Sequence, residues 1–489
     1  MSLIRKLASD TAAYGISSIL ARLINFFFGF LIIRYISPVE YGVYGKFYAF
    51  AGFFLVLLTH GMETAYFRHY SQEKFKQKAF ATAFASIFSV TLFYILFSYV
   101  FMADIATWVE ESKGFVVLFT WMMAFDVLAA LPFASLRATG RPMRFAVLKI
   151  INILLFIGFN IFFFILLPYL PVSASWNLNF GLPKVVFVFT ANLLASAFTL
   201  VFLMPQFRLI RSGLDVGLYK RMLQYALPIM IVGFAGMINE MLDRALMTKL
   251  LPGTQQENNI QLGIYSFNYK FSMLMTLFLQ AYRYAAEPFF FAQAQHEDSK
   301  KIYADTMKYF IICGCVIFLL ITLNIPMLQG ILSIYSPAAK HYFVGKGVIP
   351  ILLLANLCLG IYFNISTWYK IIDKTHIGAL VSVFGALLTL VLNYLWIPTM
   401  GYMGSAWATL ICYLSMVLLG YLLEMKYYPI RYDLSGIFSY IALALFFFSG
   451  AHYLSTSYAL SAGMQTLCAI LLISLFIAFA YFRERSKKI

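Results

Sequence analysis

Apolar runs of about twenty residues follow one another along nearly all of this chain, separated by short polar connections. Coiled as a helix, such a run spans about 30 Å, the thickness of the hydrocarbon core of a bilayer. Inside that core each backbone N–H and C=O must bond within its own segment, so the runs are expected to be membrane-crossing helices. Composition agrees. Hydrophobic residues make up 62% of the chain and charged residues 11%, where soluble domains hold about 45–50% and about 25%. An ordinary soluble enzyme, a disordered chain, a collagen-like repeat and a disulfide scaffold are all excluded.

The apolar windows place spans at 11–33, 43–62, 80–102, 114–136, 145–168, 184–205, 223–242, 263–285, 306–332, 348–369, 375–397, 404–424, 435–454 and 463–482. The expected fold class is therefore an all-α polytopic membrane protein with about 14 transmembrane helices. No room remains for a soluble catalytic domain, and the chain is not expected to be an enzyme. The opening apolar stretch is too long for a cleaved signal peptide, and no small-residue cleavage site follows it.

Fourteen spans put both termini on one side, and the alternating connections can be compared by charge. One set, with the termini, holds 25 of the 36 Lys and Arg residues; the other holds 8. Positive charge accumulates on cytoplasmic connections, so both termini are expected in the cytoplasm. The formal net charge of +16 is then mostly topology, and no nucleic-acid partner is implied.

Two pairs of segments echo each other. Gly42-Val43-Tyr44-Gly45-Lys46-Phe47-Tyr48 opens span 2, and Gly263-Ile264-Tyr265-Ser266-Phe267-Asn268-Tyr269 opens span 8. The run from Arg141 to Asn160 matches that from Lys374 to Asn393. Both link span n to span n+6, a parallel repeat. It predicts two pseudo-symmetric six-helix lobes around a central cavity, plus two C-terminal helices: 1–210 for spans 1–6, 211–432 for spans 7–12, and 433–489 for spans 13–14 with the tail.

Polar groups inside apolar spans are expensive, at about 3 kcal/mol or more for a charge at mid-bilayer, and so point to function. Ser18, Arg22, Asn25 and Gly29 fall on one face of span 1. Span 8 carries Tyr269, Ser272, Thr276, Gln280, Arg283 and Glu287 at alternating three- and four-residue steps, with Lys270 beside them. Arg22, Asn25, Tyr269, Lys270, Gln280 and Arg283 are the candidate cavity lining; for Arg283 the alternative is snorkelling to the cytoplasmic surface. Asp126, alone in span 4, either neutralises Arg22 or binds a coupling ion. Glu240 and Asp243 are further coupling-ion candidates, although Glu240 and Arg244 are spaced to satisfy each other.

Other constellations are absent from the sequence. There is no phosphate-binding G-x-x-x-x-G-K-[ST] loop, no paired-carboxylate catalytic site, and no His/Cys cluster at metal spacing, so no cofactor or metal is expected. The cysteines Cys313, Cys315, Cys358, Cys412 and Cys468 sit in apolar stretches and read as small buried hydrophobes. Tyr44, Tyr48, Tyr265 and Tyr269 are candidates to face the cavity and stack on sugar.

The run Leu20-Ala21-Arg22 with Arg34-Tyr35-Ile36-Ser37-Pro38-Val39-Glu40-Tyr41-Gly42-Val43-Tyr44 resembles the opening of polysaccharide transporters. Leu136-Arg137-Ala138-Thr139-Gly140-Arg141 and Pro398-Thr399-Met400-Gly401-Tyr402-Met403-Gly404-Ser405-Ala406 fit as well. These transporters, including Wzx-type O-antigen flippases, belong to the multidrug/oligosaccharidyl-lipid/polysaccharide exporter superfamily. The resemblance implies a flippase in the bacterial inner membrane. It would move a polyprenyl-pyrophosphate-linked oligosaccharide, an O-antigen, capsule or exopolysaccharide unit, from the cytoplasmic to the outer leaflet by alternating access. It also implies a cationic cavity, membrane lipids, H+ or Na+ and glycan polymerase or assembly proteins as partners. A lipid II flippase and a multidrug or cation exporter of the same superfamily are the alternatives.

Overall fold

The computed structural model describes residues 19–20, 22–170, 183–293, 298–372, 374–458 and 461–486. Among them every regular element is helical. Residues 22–31 are helical and run into a short turn, Ile32–Arg34. There follow α1 (Pro38–Thr59), α2 (Met62–Tyr70), α3 (Lys76–Val100), α4 (Lys113–Ala138), α5 (Pro142–Ile161), α6 (Val185–Phe202) and α7 (Val216–Leu250). Next come α8 (Gln255–Gln293), α9 (Ser299–Thr322), α10 (Ile325–Tyr335), α11 (Val348–Ile365), α12 (Thr375–Met400), α13 (Tyr402–Tyr427), α14 (Leu434–Tyr458) and α15 (Ala462–Ser486).

Twelve helices among the described residues are long and apolar enough to cross a membrane, against the fourteen spans expected. Span 1, expected over 11–33, begins in residues outside those described, and its described helical stretch, 22–31, is too short to count as a crossing. Span 8 exists as α8, but Glu257, Lys270, Gln280 and Arg283 along it make it too polar to count with the twelve. The ninth span, expected as one unit over 306–332, breaks after Thr322; Pro326 lacks a backbone N–H and sits in the first turn of α10, where none is needed.

Local chemistry sets the helix ends. The Ser112 hydroxyl accepts from the Phe115 N–H at 3.2 Å and starts α4. Gly140, at φ +65°, takes the left-handed turn that leaves α4, and Pro142 opens α5 two residues later. This tight connection folds α5 back along α4.

The chain groups into two compact units: Met1–Phe28 with Val39–Thr248 and Gly253–Asn259, and Gly29–Pro38 with Lys249–Pro252 and Ile260–Ile489. Helix α7, expected to open the second lobe, thus groups with the first unit. Within the first unit α6 packs on both α4 and α5, and α3 on α4. Gly42 lets α1 meet the start of α8 backbone to backbone; a methyl there would lie 2.0 Å from the Asn259 carbonyl oxygen. In the second unit α13 packs on α11 and α12, and α9 on α14. Outward positions are apolar, Phe93 and Leu467 at 68% exposure and Phe446 at 70%. Such surfaces suit lipid rather than water.

Candidate functional site: a charged cavity in the first unit

Three membrane-crossing helices of the first unit carry polar residues on the faces they turn to one another. On α4, Asp126, Ala129, Ala130, Phe133 and Arg137 recur at helical spacing; on α5, Phe145, Lys149 and Asn152 do so; on α6, Asn192, Ser196 and Thr199. With Leu55 of α1 and Glu63 of α2 they enclose a cavity of about 460 Å³. That is within the range of about 300–1,000 Å³ typical of small-molecule sites.

The cavity wall holds two cations and two carboxylates. The Arg137 guanidinium donates to the Glu63 carboxylate at 3.3 Å and lies 5.0 Å from the Phe67 ring centroid. Burial pushes the Glu63 carboxyl above its ordinary range, with Arg137 and then Lys149 opposing the shift. The Ser196 hydroxyl donates to Asp126. Nearby, the Asn192 amide donates to the Tyr48 hydroxyl at 2.9 Å, and the Asn152 amide to Thr199 at 2.9 Å.

Lys149 differs from the other three. Its ammonium stands 4.2 Å from the Phe133 ring centroid, and among the described residues no carboxylate lies within ion-pair distance of it. Asp126 and Glu63 attract it from farther away, while Arg137 and Arg22 repel it. An ammonium two turns inside a membrane-crossing helix, facing a polar cavity without a paired anion, is a site prepared for an anionic group.

Arg22, on the helical segment 22–31, is exposed and close enough to Lys149 to act on it electrostatically; Asn25 on the same segment is also exposed. Asp126 lines the cavity, and its hydrogen-bond partner is Ser196 rather than Arg22. Asp243 is buried and pairs with Arg244 at 3.8 Å, while the Arg244 guanidinium donates to the backbone carbonyl of Glu240 at 3.3 Å. The i,i+4 spacing therefore brings Arg244 to the peptide group of Glu240, and the carboxylate pairing Arg244 is its neighbour. Glu240 itself is exposed.

The span-8 candidates belong to the second unit. Lys270 is buried over Gly29, where an added methyl would meet its Nζ at 1.9 Å. Tyr269 is buried with its ring 5.9 Å from that of Tyr265, and Gln280 is half-buried. Arg283 is exposed, its guanidinium 4.7 Å from the Phe363 ring centroid. Tyr44 and Tyr48 pack on each other and on Phe189 in the apolar core of the first unit, and Tyr48 reaches the polar strip only through its hydroxyl. Among the described residues no group of three or more His, Cys, Asp and Glu side chains is placed to hold a metal ion.

Sequence reasoning passed over Glu63 and counted Arg137 and Lys149 only among the charges that set orientation. The signal was present: with Pro142 opening a helix, Lys149 lies two turns inside it and shares a face with Asn152.

A family model described as polysaccharide biosynthesis protein matches residues 7–292, more than half of the chain, and a second, MatE, matches residues 228–395. No match is found among curated proteins. Among solved structures, one described as lipid II flippase MurJ in an inward closed conformation is similar with a TM-score of 0.73 at 15% identity, over 96% of this chain and 99% of that one. An inward-facing multidrug resistance MATE family transporter of the MOP superfamily gives a TM-score of 0.66 at 15% identity, over 83% and 94%. At such identities the likeness concerns the fold.

Proposed function

Because this chain belongs to the polysaccharide biosynthesis protein family, within the superfamily of MOP flippases and transporters, we propose that it carries a polyprenyl-pyrophosphate-linked oligosaccharide across the bacterial inner membrane. The substrate would be an O-antigen, capsule or exopolysaccharide unit, passed from the cytoplasmic to the outer leaflet by alternating access. A sugar-diphosphate headgroup does not cross hydrocarbon unaided. It needs a wet surface with fixed positive charge while its isoprenoid tail stays in lipid.

The observation that supports this reading is the Lys149 ammonium, facing a cavity of about 460 Å³ with no carboxylate in ion-pair contact among the described residues. Lys149 binds a phosphate oxygen, and Arg22 adds positive potential beside it. Asn152, Asn192 and Thr199 offer hydrogen bonds to sugar hydroxyls. Asp126, held by Ser196 in the same cavity, is the coupling site for a proton or a monovalent cation that resets the empty carrier. A membrane potential of about 100 mV, inside negative, favours export of a doubly charged headgroup by roughly 4–5 kcal/mol.

The test is genetic. In a strain lacking the gene, the lipid-linked saccharide accumulates on the cytoplasmic face; the wild-type chain clears it and Lys149→Ala does not. Clearance by Lys149→Ala at the wild-type level overturns the assignment. Depletion of the chain addresses substrate class: lysis, rather than loss of a surface glycan, identifies lipid II as the cargo.

A further inference from the structure

Glu424 lies in the last turn of α13, in the second unit, and is 1% exposed. One carboxyl oxygen accepts from the Tyr432 hydroxyl at 2.8 Å. The other, Oε2, is buried and meets no hydrogen-bond partner among the described residues. None of the cations described stands within ion-pair distance of it.

The surroundings are aromatic. Tyr432 packs with Tyr428, Tyr282 and Ile371 around a cluster that contains Phe290, Tyr303 and Ile430, and its ring lies 6.2 Å from that of Tyr421. The titratable hydroxyls nearest the carboxyl's partner are thus those of Tyr421 and Tyr282. The neighbouring cations rest on rings instead. Lys374 and Lys426 sit over Tyr427, Lys300 over Tyr428, and Lys370 and Arg283 over Phe363.

Three effects disfavour a negative charge at Glu424. Burial removes its water, no cation compensates it, and the C-terminal end of a helix carries partial negative charge of its own. A single hydroxyl donor does not offset these. A metal ion would need several oxygen ligands, and one carboxyl group with one phenol does not supply them.

We propose that Glu424 is a proton-binding site: it stands as the neutral acid in the folded second unit, and loss of its proton hydrates the end of α13 and frees the Tyr428–Asp433 connection to α14. The site joins the end of α13 to the connection that leads into α14, so proton release loosens that junction while the apolar packing of α13 on α11 and α12 persists.

Infrared spectroscopy of the full-length protein in lipid nanodiscs, titrated with base, tests this directly. The wild-type protein shows a carbonyl band of a protonated carboxylic acid at neutral pH that fades as pH rises. Glu424→Gln lacks this band, yet is as thermally stable as wild type, because the amide mimics the neutral acid. Tyr432→Phe keeps the band and moves its loss to higher pH, since the ionised form has lost its one donor. Hydrogen exchange of the 428–433 segment supplies a second readout: the wild-type rate, divided by that of Glu424→Gln, is one at neutral pH and rises once the band has faded. A spectrum without a Glu424-dependent band, an unstable Glu424→Gln, or a ratio that stays at one overturns the proposal.

Discussion

Lys149 and Glu424 are opposite solutions to a charge near hydrocarbon. Lys149 lines a polar cavity with other charges in view, whereas Glu424 is enclosed among aromatic rings. Glu63 lies between these extremes, raised by burial but tied to Arg137. A carboxyl whose proton affinity is raised is neutralised earlier than usual as pH falls, and Arg137 then loses its counter-ion. Binding of inorganic pyrophosphate to the purified protein should therefore strengthen as pH falls through the Glu63 titration. Calorimetry across that range checks it, and Glu63→Gln should remove this part of the dependence. Gly42 tests packing at the same scale. A methyl at that position meets the carbonyl oxygen of Asn259, a backbone atom with little freedom to retreat. Gly42→Ala should cost about 1–3 kcal/mol, the range of overpacking in a close-packed interior, read as a lowered Tm in detergent.

Helices are the scale at which the sequence was most legible. The spans read from apolar runs reappear as α1, α3 to α9 and α11 to α15, because a bilayer imposes both length and apolarity on each crossing. What the runs hid was the depth of charged residues near their ends. Lys149 and Lys308 fall near the starts of the spans read at 145–168 and 306–332 and were counted with the connections, yet their helices begin earlier, at Pro142 and Ser299. Lys308 of α9 pairs with Glu484 of α15 at 2.7 Å and with Asp305 at 3.1 Å, and Tyr440 of α14 donates to Glu484 at 2.6 Å. Three helices are thereby tied through one largely buried pair. Removing one partner leaves a charge buried, so Lys308→Met alone should destabilise by about 3–5 kcal/mol. Lys308→Met combined with Glu484→Leu should recover most of that loss. Thermal unfolding of the four members of the cycle measures it.

At the scale of the whole molecule, the sequence pointed to an all-helical membrane transporter, and family and fold agree. Its candidate site residues were unevenly legible. Asp126 stood out because a lone carboxylate in an apolar run is conspicuous, and Arg22 for the corresponding reason. Glu63 and Arg137 were invisible because their meeting depends on how α2 and α4 pack, which no single-helix periodicity records. Alkaline phosphatase fused after Ile489 should be inactive, and inserted within 333–347 it should be active, since the enzyme matures only outside the cytoplasm.

The central claim is that Lys149 holds the diphosphate during passage. It is tested most directly by reconstituting wild-type protein and Lys149→Gln in liposomes and following transfer of a polyprenyl-pyrophosphate-linked oligosaccharide between leaflets under an imposed potential. The account predicts a loss of about ten- to hundredfold in Lys149→Gln, the factor carried by a charge-assisted hydrogen bond of about 1.5–3 kcal/mol, with partial recovery in Lys149→Arg. Transfer by Lys149→Gln at the wild-type rate would contradict it.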